Sequence, residues 1–316
     1  MAKVIITGGT GLIGKVLSAL LVGKGYQVII LSRKAFLKDR KKSPNIDYAL
    51  WDIEKQTIDT SAIRNADYII NLAGAGVADK RWTERRKKEI LESRIKASEL
   101  LIRTLKENPN KIKAVINSSA IGWYGSDPVV PNPKPFIETE PSAADFLGET
   151  CRVWEESIDP VKELGIRLVK IRTGIVLSNA GGAFKEFRKP VKFGIAAILG
   201  NGKQIISWLH IDDICRIYLF ALENESVQGV YNAVAPKPVS NKELTIQIAK
   251  IEKGNFSVPL HVPSFLLKMV LGEMSVEVLK STTVNCEKIR MAGFNFIFPS
   301  IESALGDLLK KDEVQK

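Results

Sequence analysis

The residues of this chain that could do chemistry begin with its glycines. An apolar, β-branched run, Lys3-Val4-Ile5-Ile6-Thr7, breaks at Gly8-Gly9-Thr10-Gly11-Leu12-Ile13-Gly14, and an amphipathic stretch from Leu12 to Leu21 follows. Gly8, Gly11 and Gly14 have one spacing; Gly9, Gly11 and Gly14 give G-x-G-x-x-G. Either register reads as strand, tight turn and helix. Glycine allows positive φ in the turn and lets backbone approach a ligand closely. The helix N-terminus at Leu12, Ile13 and Gly14 then offers free N–H groups and a positive dipole end to a pyrophosphate. This strand–turn–helix context is the one a dinucleotide-binding turn requires. The competing reading is a glycine-rich turn that only packs helix on strand.

Roughly 20 residues past such a turn, at the end of the second strand, folds that bind NAD place an acid for the ribose hydroxyls. Leu31-Ser32-Arg33-Lys34 stands there instead. An acid would repel a 2′-phosphate, whereas Arg33 and Ser32 would bind it, so NADP(H) is expected over NAD(H). The alternative is an exposed basic loop, since Lys38–Lys42 is basic too. Trp51-Asp52 follows the third strand, and both are expected at the cofactor. Asp52 either accepts a hydrogen bond from the adenine amino group or forms a surface turn. At the end of the fourth strand, the small residues of Asn71-Leu72-Ala73-Gly74 let backbone lie against ribose and pyrophosphate.

The elements that must position these residues alternate. Strands are expected at Val4–Thr7, Gln27–Leu31, Asp47–Leu50, Asp67–Leu72, Ala114–Asn117 and Arg167–Ile171, with helices at Leu12–Gly23, Thr83–Lys106 and Ala143–Leu164. Apolar strands separated by helices predict an α/β fold with a doubly wound parallel sheet covered on both faces. Ligands bind such sheets at the carboxyl ends of the strands. Beyond Thr173 the pattern changes. Ile205–Leu209 reads as a strand, Ile211–Leu222 as a helix and Gly229–Ala233 as a strand returning to the first sheet. A helix capped by Ser240, an apolar helix at Phe265–Met274 and an amphipathic tail helix at Ile301–Leu309 complete the chain. The expected division is a dinucleotide-binding domain of residues 1–175 plus 205–233, and a smaller substrate lobe of 176–204 plus 234–316.

Composition narrows the function classes. The 316 residues suffice for a substantial core. The net charge of +11 invites nucleic-acid binding, but the lysines are spread along the chain and alternate with acids, as in Arg85-Arg86-Lys87-Lys88-Glu89. Such runs read as solvated faces, and no nucleic-acid partner is expected. No apolar run approaches the roughly 20 residues of a membrane span, so no membrane partner is expected. The first strand starts by residue 3, which argues against a signal peptide. Three scattered cysteines and two histidines make a metal site improbable and suit free thiols in a reducing cytoplasm. The long helix at Thr83–Lys106 fits a monomer or a homodimer equally.

Four stretches, taken in order, resemble the extended short-chain dehydrogenase/reductase superfamily: Thr7 through Gly14, Asn71 through Gly74, Ser118-Ser119 with Tyr124-Gly125, and Trp208-Leu209-His210-Ile211-Asp212-Asp213. Lys80-Arg81-Trp82, Glu92-Ser93-Arg94, Phe146 through Trp154-Glu155, Arg172-Thr173-Gly174, Ala292-Gly293-Phe294 and Phe298-Pro299 are similar to its atypical "epimerase family protein" branch. The resemblance covers nearly the whole chain. It implies a Rossmann domain with a small C-terminal substrate lobe, NADP as cofactor and a small-molecule substrate. It further implies cofactor contacts from Ser32 and Arg33, Leu72 and Ala73, Glu89, Arg94, Ser118 and Val176. The activity implied is that of an NADP(H)-dependent oxidoreductase or epimerase-like enzyme acting on a hydroxyl or carbonyl metabolite, a sugar derivative among them.

One departure matters. The superfamily's chemistry uses a Tyr and a Lys four residues apart on the helix after the fifth strand, both therefore on one face. The Lys lowers the tyrosine pKa and binds the nicotinamide ribose, and the Tyr moves the proton that accompanies hydride transfer. Here Phe146 holds the tyrosine position and Thr150 the lysine position. Tyr124 is the nearest replacement proton donor, unless it forms pocket wall, and Ser119 could hydrogen-bond a substrate oxygen. The other outcome is a non-catalytic NADP(H)-binding, redox-sensing protein. His210 is read as a structural residue beside a helix cap rather than a catalytic base. Arg172 either reaches the substrate lobe or pairs with an acid inside the sheet.

Overall fold

β-Branched runs bounded by turn residues give the computed structural model its first seven strands, in residues 1–33 and 44–314, which are the residues described; Lys34 and Lys38–Lys42 lie outside them. They are β1 (Lys3–Thr7), β2 (Gln27–Ser32), β3 (Ile46–Asp52), β4 (Thr57–Ile58), β5 (Tyr68–Asn71), β6 (Ala114–Ala120) and β7 (Arg167–Thr173). Four helices alternate with them: α1 (Leu12–Gly23), α2 (Thr60–Asn65), α3 (Glu84–Glu107) and α4 (Phe146–Ile158). The second half supplies β8 (Ile175–Leu177), α5 (Ala183–Val191), β9 (Ile195–Leu199), β10 (Ile205–Ile206), β11 (Trp208–His210), α6 (Ile211–Glu223), β12 (Gly229–Ala233) and β13 (Val239–Ser240). It closes with α7 (Asn241–Lys253), β14 (Val258–Val262), α8 (Ser264–Leu271), α9 (Ser275–Leu279), α10 (Glu287–Met291) and α11 (Ile301–Val314).

The main sheet has the order β12-β7-β6-β5-β1-β2-β3-β4, parallel except for the β3–β4 pair. It is a mixed α/β, Rossmann-type fold. Alternation along the strands divides the apolar side chains between two cores. Val4, Ile6, Val28, Ile30 and Ile116 face a core shared with α1 and α6. Ile5, Ile29, Leu31, Ile69 and Val115 face one shared with α2 and α3. Strand order reverses where β1 lies between β5 and β2, so the crevice at their carboxyl ends is the topological switch point.

Two expectations are corrected. The helix expected over Ala143–Leu164 starts at Phe146, where the Asp145 carboxylate accepts from the Gly148 N–H at 2.8 Å. It ends at Ile158, and a 3₁₀ turn carrying Pro160 follows, since proline cannot donate to a continuing α-helix. The single strand expected at Ile205–Leu209 is two: β10 pairs antiparallel with β13, and β11 pairs parallel with β8. Pro259 lies inside β14, which pairs with β9. The Val258 N–H points at Gly194, so alternation turns position 259 away from β9 and the missing donor costs no ladder bond.

The C-terminal segment is tied to the sheet domain by packing and by one buried carboxylate. The first core continues through Leu244 and Ile248 of α7 to Leu305 of α11. Asp127, in the loop after β6, accepts from Asn132 Nδ2, the Thr283 N–H and the Ser281 and Thr283 hydroxyls, all at 2.7–3.0 Å.

Candidate functional site

The glycine turn is set by sterics. Gly8 has φ +65°, and a Cβ there would sit 2.7 Å from the Leu72 carbonyl oxygen. A Cβ on Gly14 would lie 2.6 Å from the Gly9 Cα and closer still to the Gly8 carbonyl oxygen. Gly11 is the N-cap of α1 and makes no side-chain cap, so among the described residues no capping side chain satisfies the first-turn N–H groups. Beneath the turn, Thr7 Oγ1 accepts from the Leu72 and Ala73 N–H groups at 3.0 and 3.1 Å and donates to Asn71 Oδ1 at 2.6 Å. Asn71 Nδ2 donates to Asn117 Oδ1 at 2.7 Å. This buried ladder locks the ends of β1, β5 and β6, and so the Leu72–Gly74 ledge. Asn117 was not singled out above; a polar residue ending an apolar strand was its signal.

Around the ledge the expected contacts separate. Ser32 is half-buried and Arg33 exposed at the carboxyl end of β2, and among the described residues no carboxylate pairs with Arg33. Asp52 Oδ1 accepts from the Glu54 and Lys55 N–H groups at 3.0 and 3.1 Å and so holds the turn after β3. Trp51, expected at the cofactor, is instead in the second core, because alternation along β3 turns it inward. The Gly181-Gly182 turn brings Val176 toward α1: a Cβ on Gly182 would lie 3.2 Å from Leu12 Cδ2 and 3.7 Å from the Val176 carbonyl oxygen. On α3, Glu89 pairs with Arg86 at 2.8 Å, the hydrogen bond holding its carboxyl below the usual range. Ser118 is half-buried on β6.

The dyad positions are confirmed as non-ionisable. Phe146 packs edge-on to Trp82 with centroids 5.0 Å apart, and Lys87 Nζ lies 5.7 Å from its ring centroid. Thr150 Oγ1 turns into its own helix and donates to the Phe146 carbonyl at 2.6 Å.

The two expected catalytic residues are corrected by burial. Tyr124 is 1% exposed and Ser119 2%. The Tyr124 hydroxyl donates to Asn232 Oδ1 at 2.8 Å, accepts from Arg172 Nη1 at 3.1 Å, and its ring stacks on Phe136. Burial pushes its pKa up to about 12 despite the adjacent Arg172 guanidinium. Ser119 Oγ donates to Glu155 Oε1 at 2.7 Å. Glu155 also receives Arg172 through two bonds, Nε at 2.8 Å and Nη2 at 3.1 Å. Both hydroxyls are therefore committed inside a buried network, because Arg172 takes the second of its two alternatives and pairs with an acid. Tyr124→Phe should lower stability by about 1–2 kcal/mol, the cost of leaving Asn232 and Arg172 short of a partner. NADPH affinity should be unchanged. Denaturant unfolding and calorimetry check the pair of outcomes; intact stability with lost turnover would return Tyr124 to a catalytic role.

His210 caps α6, its Nδ1 accepting from the Asp212 N–H at 3.1 Å, while Nε2 lies 3.3 Å from Asp307 Oδ2. Asp213 accepts from the Ile297 and Phe298 N–H groups at 2.9 Å, pinning the tail to α6.

Comparison with known proteins bears on this site. Residues 4–145 match the NAD dependent epimerase/dehydratase family, and residues 262–308 match a domain of unknown function, DUF1731. Epimerase family protein YfhF of Bacillus subtilis (strain 168) is 34% identical over 97% of this chain and 98% of its own. The crystal structure of human epimerase family protein SDR39U1 (isoform 2) with NADPH is similar at TM-score 0.83 and 26% identity, over 98% of this chain and 99% of that one. The nucleoside-diphosphate sugar epimerase from Corynebacterium glutamicum is similar at TM-score 0.74 and 28% identity; 99% of this chain matches 61% of that one.

Proposed function

Because the chain belongs to the epimerase family proteins of the NAD dependent epimerase/dehydratase family, we propose that it is an NADP(H)-dependent oxidoreductase or epimerase-like enzyme. Its substrate is a small hydroxyl- or carbonyl-bearing metabolite, with sugar derivatives the first class to test. The carrying observation is the uncapped start of α1 above a turn that admits no Cβ at Gly8 or Gly14, beside the Leu72–Gly74 ledge. A pyrophosphate fits that cradle through backbone N–H groups. Gly8, Thr10, Gly11, Leu12, Ile13 and Gly14 would form it, with Ala73, Ser118 and Val176 along its sides. Asp52 keeps Oδ2 for an adenine amino group, and the Arg86-bound Glu89 carboxylate suits a ribose hydroxyl. Ser32 and Arg33 would hold the 2′-phosphate. When bound, the nicotinamide supplies hydride transfer. The three buried free thiols fit a cytoplasmic location.

Calorimetry on nucleotide-stripped protein tests the cofactor. A charge-assisted hydrogen bond contributes about 1.5–3 kcal/mol, so NADPH should bind about 10- to 100-fold tighter than NADH. Arg33→Ala should remove most of that preference. Equal affinities in the wild type would refute the assignment.

A second reading is favoured by Phe146 and by the burial of Tyr124 and Ser119: NADP(H) binding without turnover, reporting redox state to a partner. Consumption of bound NADPH by any member of a carbonyl panel would discard it.

A further inference from the structure

The two segments that carry β9 and β14 hold cations and no acid. In a chain with 35 acids, none falls from Phe187 through Ile211 or from Lys253 through Gly272. Those stretches contain Arg188, Lys189, Lys192, Lys203, Lys253 and Lys268. β9 and β14 pair in parallel, with Ile195 beside Val258 and Ala197 beside Leu260. Partners in register share a face, and the alternate residues take the other. Ala196 and Ile198 are buried, on the side where β9 packs on α5 and α7. Ile195, Val258 and Leu260 lie on the opposite face, and all three are exposed.

Two aromatic rings stand at one end of this face. Phe193 follows α5 and is 84% exposed; Phe256 closes the turn after α7 and is 90% exposed. The two turns are adjacent. The Val258 N–H donates to the Gly194 carbonyl at 2.9 Å, and a Cβ on Gly194 would lie 3.3 Å from the Phe256 carbonyl oxygen. Arg188 pairs with Glu252, which joins the ends of α5 and α7. Lys192, Lys250 and Lys253 lie exposed at the same helix ends, and among the described residues no carboxylate pairs with any of them. Beyond β14, α8 adds the exposed Phe265, Met269 and Val270.

Exposed rings beside unpaired lysines fit a surface that is anionic outside and apolar just beneath. Nucleic acid or an acidic peptide would satisfy the lysines and leave the rings and the aliphatic face in water. The outer edge of β14 does not invite strand addition by a second copy, because Pro259 stands where an N–H would point outward. We propose that the β9–β14 face docks on the surface of an anionic bilayer. Phe193 and Phe256 enter the headgroup region, and Lys192, Lys250 and Lys253 meet lipid phosphates. Among the described residues no helix is long and apolar enough to cross a membrane, so the contact lies on the surface. The absence of a long apolar run speaks only to spans. The proposal does not rest on the cofactor reading.

Cosedimentation with vesicles tests it. The full chain should bind vesicles of equal parts phosphatidylcholine and phosphatidylglycerol, and not vesicles of phosphatidylcholine alone. Phe193→Ser with Phe256→Ser should weaken that binding about tenfold per ring. Lys192→Gln with Lys253→Gln should weaken it about fivefold per charge and flatten its salt dependence. Lys55→Gln with Lys106→Gln, which removes two exposed lysines from the β3–β4 turn and α3, is the charge-matched control and should keep wild-type binding. Circular dichroism melts establish that each variant is folded. No binding of the wild type to the mixed vesicles overturns the proposal. So does an equal loss in the control pair, which would mean adsorption by net charge. Undiminished binding by the serine pair overturns it too, since the rings would then stay in water. Light scattering covers the remaining occupant: a wild-type dimer that the serine pair converts to monomer would make the face a contact between copies of this chain instead.

Discussion

Arg172→Met will lower the unfolding free energy by about 3–5 kcal/mol, the cost of leaving one member of a buried ion pair alone. Arg172 is almost inaccessible, and its guanidinium grips Glu155 by two bonds, donates to the Tyr124 hydroxyl and the Glu138 carbonyl, and lies 3.6 Å over the Trp123 ring. Burial alone would lower its pKa; pairing with Glu155 outweighs that and raises it. Methionine refills the volume but strands the Glu155 carboxylate with Ser119 and, at 3.9 Å, Lys170. The double replacement Arg172→Met with Glu155→Leu removes both charges and should recover much of the loss, since apolar substitutes for a whole buried pair are often neutral. Urea unfolding of the three proteins measures it. A loss under about 1 kcal/mol in the single variant would mean that the pair is not structural.

Gly14→Ala should abolish measurable NADPH binding, a loss beyond about 100-fold, because misplacing reacting or binding groups by about 1 Å has effects of that size. The added Cβ meets Gly9 Cα at 2.6 Å and Gly9 C at 2.8 Å, with the Gly8 carbonyl oxygen nearer still. All three are backbone atoms and no rotamer relieves them. The start of α1 must move off the turn, at an overpacking cost of about 1–3 kcal/mol. Gly23→Ala is the control. It lies in the last turn of the same helix with nothing within 4 Å, and should be neutral or stabilising by up to about 1 kcal/mol. NADPH binding by folded Gly14→Ala at wild-type strength would remove the turn from the cofactor site.

The glycine turn and the Arg172 pair differ in how far along the chain their parts lie. The glycine turn is a local object. Its strand, bend and helix occupy residues 3 to 23, so type and spacing suffice to find it. Arg172 was found but its partner was not, because Glu155 lies on another element and only the packing of α4 against the sheet joins them. Tyr124 shows the same limit more sharply: its hydroxyl partner Asn232 is 108 residues away. A tyrosine after an expected strand reads as accessible until that distant contact is known. Trp51 and its neighbour Asp52 part for a different reason: period-two alternation puts adjacent strand residues on opposite faces. Ile205–Leu209 looked like one strand because hydrophobicity does not say which partner each half will pair with.

By itself the amino-acid sequence determined the alternating α/β order, the glycine turn, the basic residue after β2, and the Phe146 and Thr150 that stand on α4. These are all properties of contiguous residues and their periodicity. Only the tertiary structure decided that Tyr124 and Ser119 are spent in a buried network, and that Arg94 is buried against Trp154. Burial and pairing are set by which elements meet, and no stretch of chain carries that information alone.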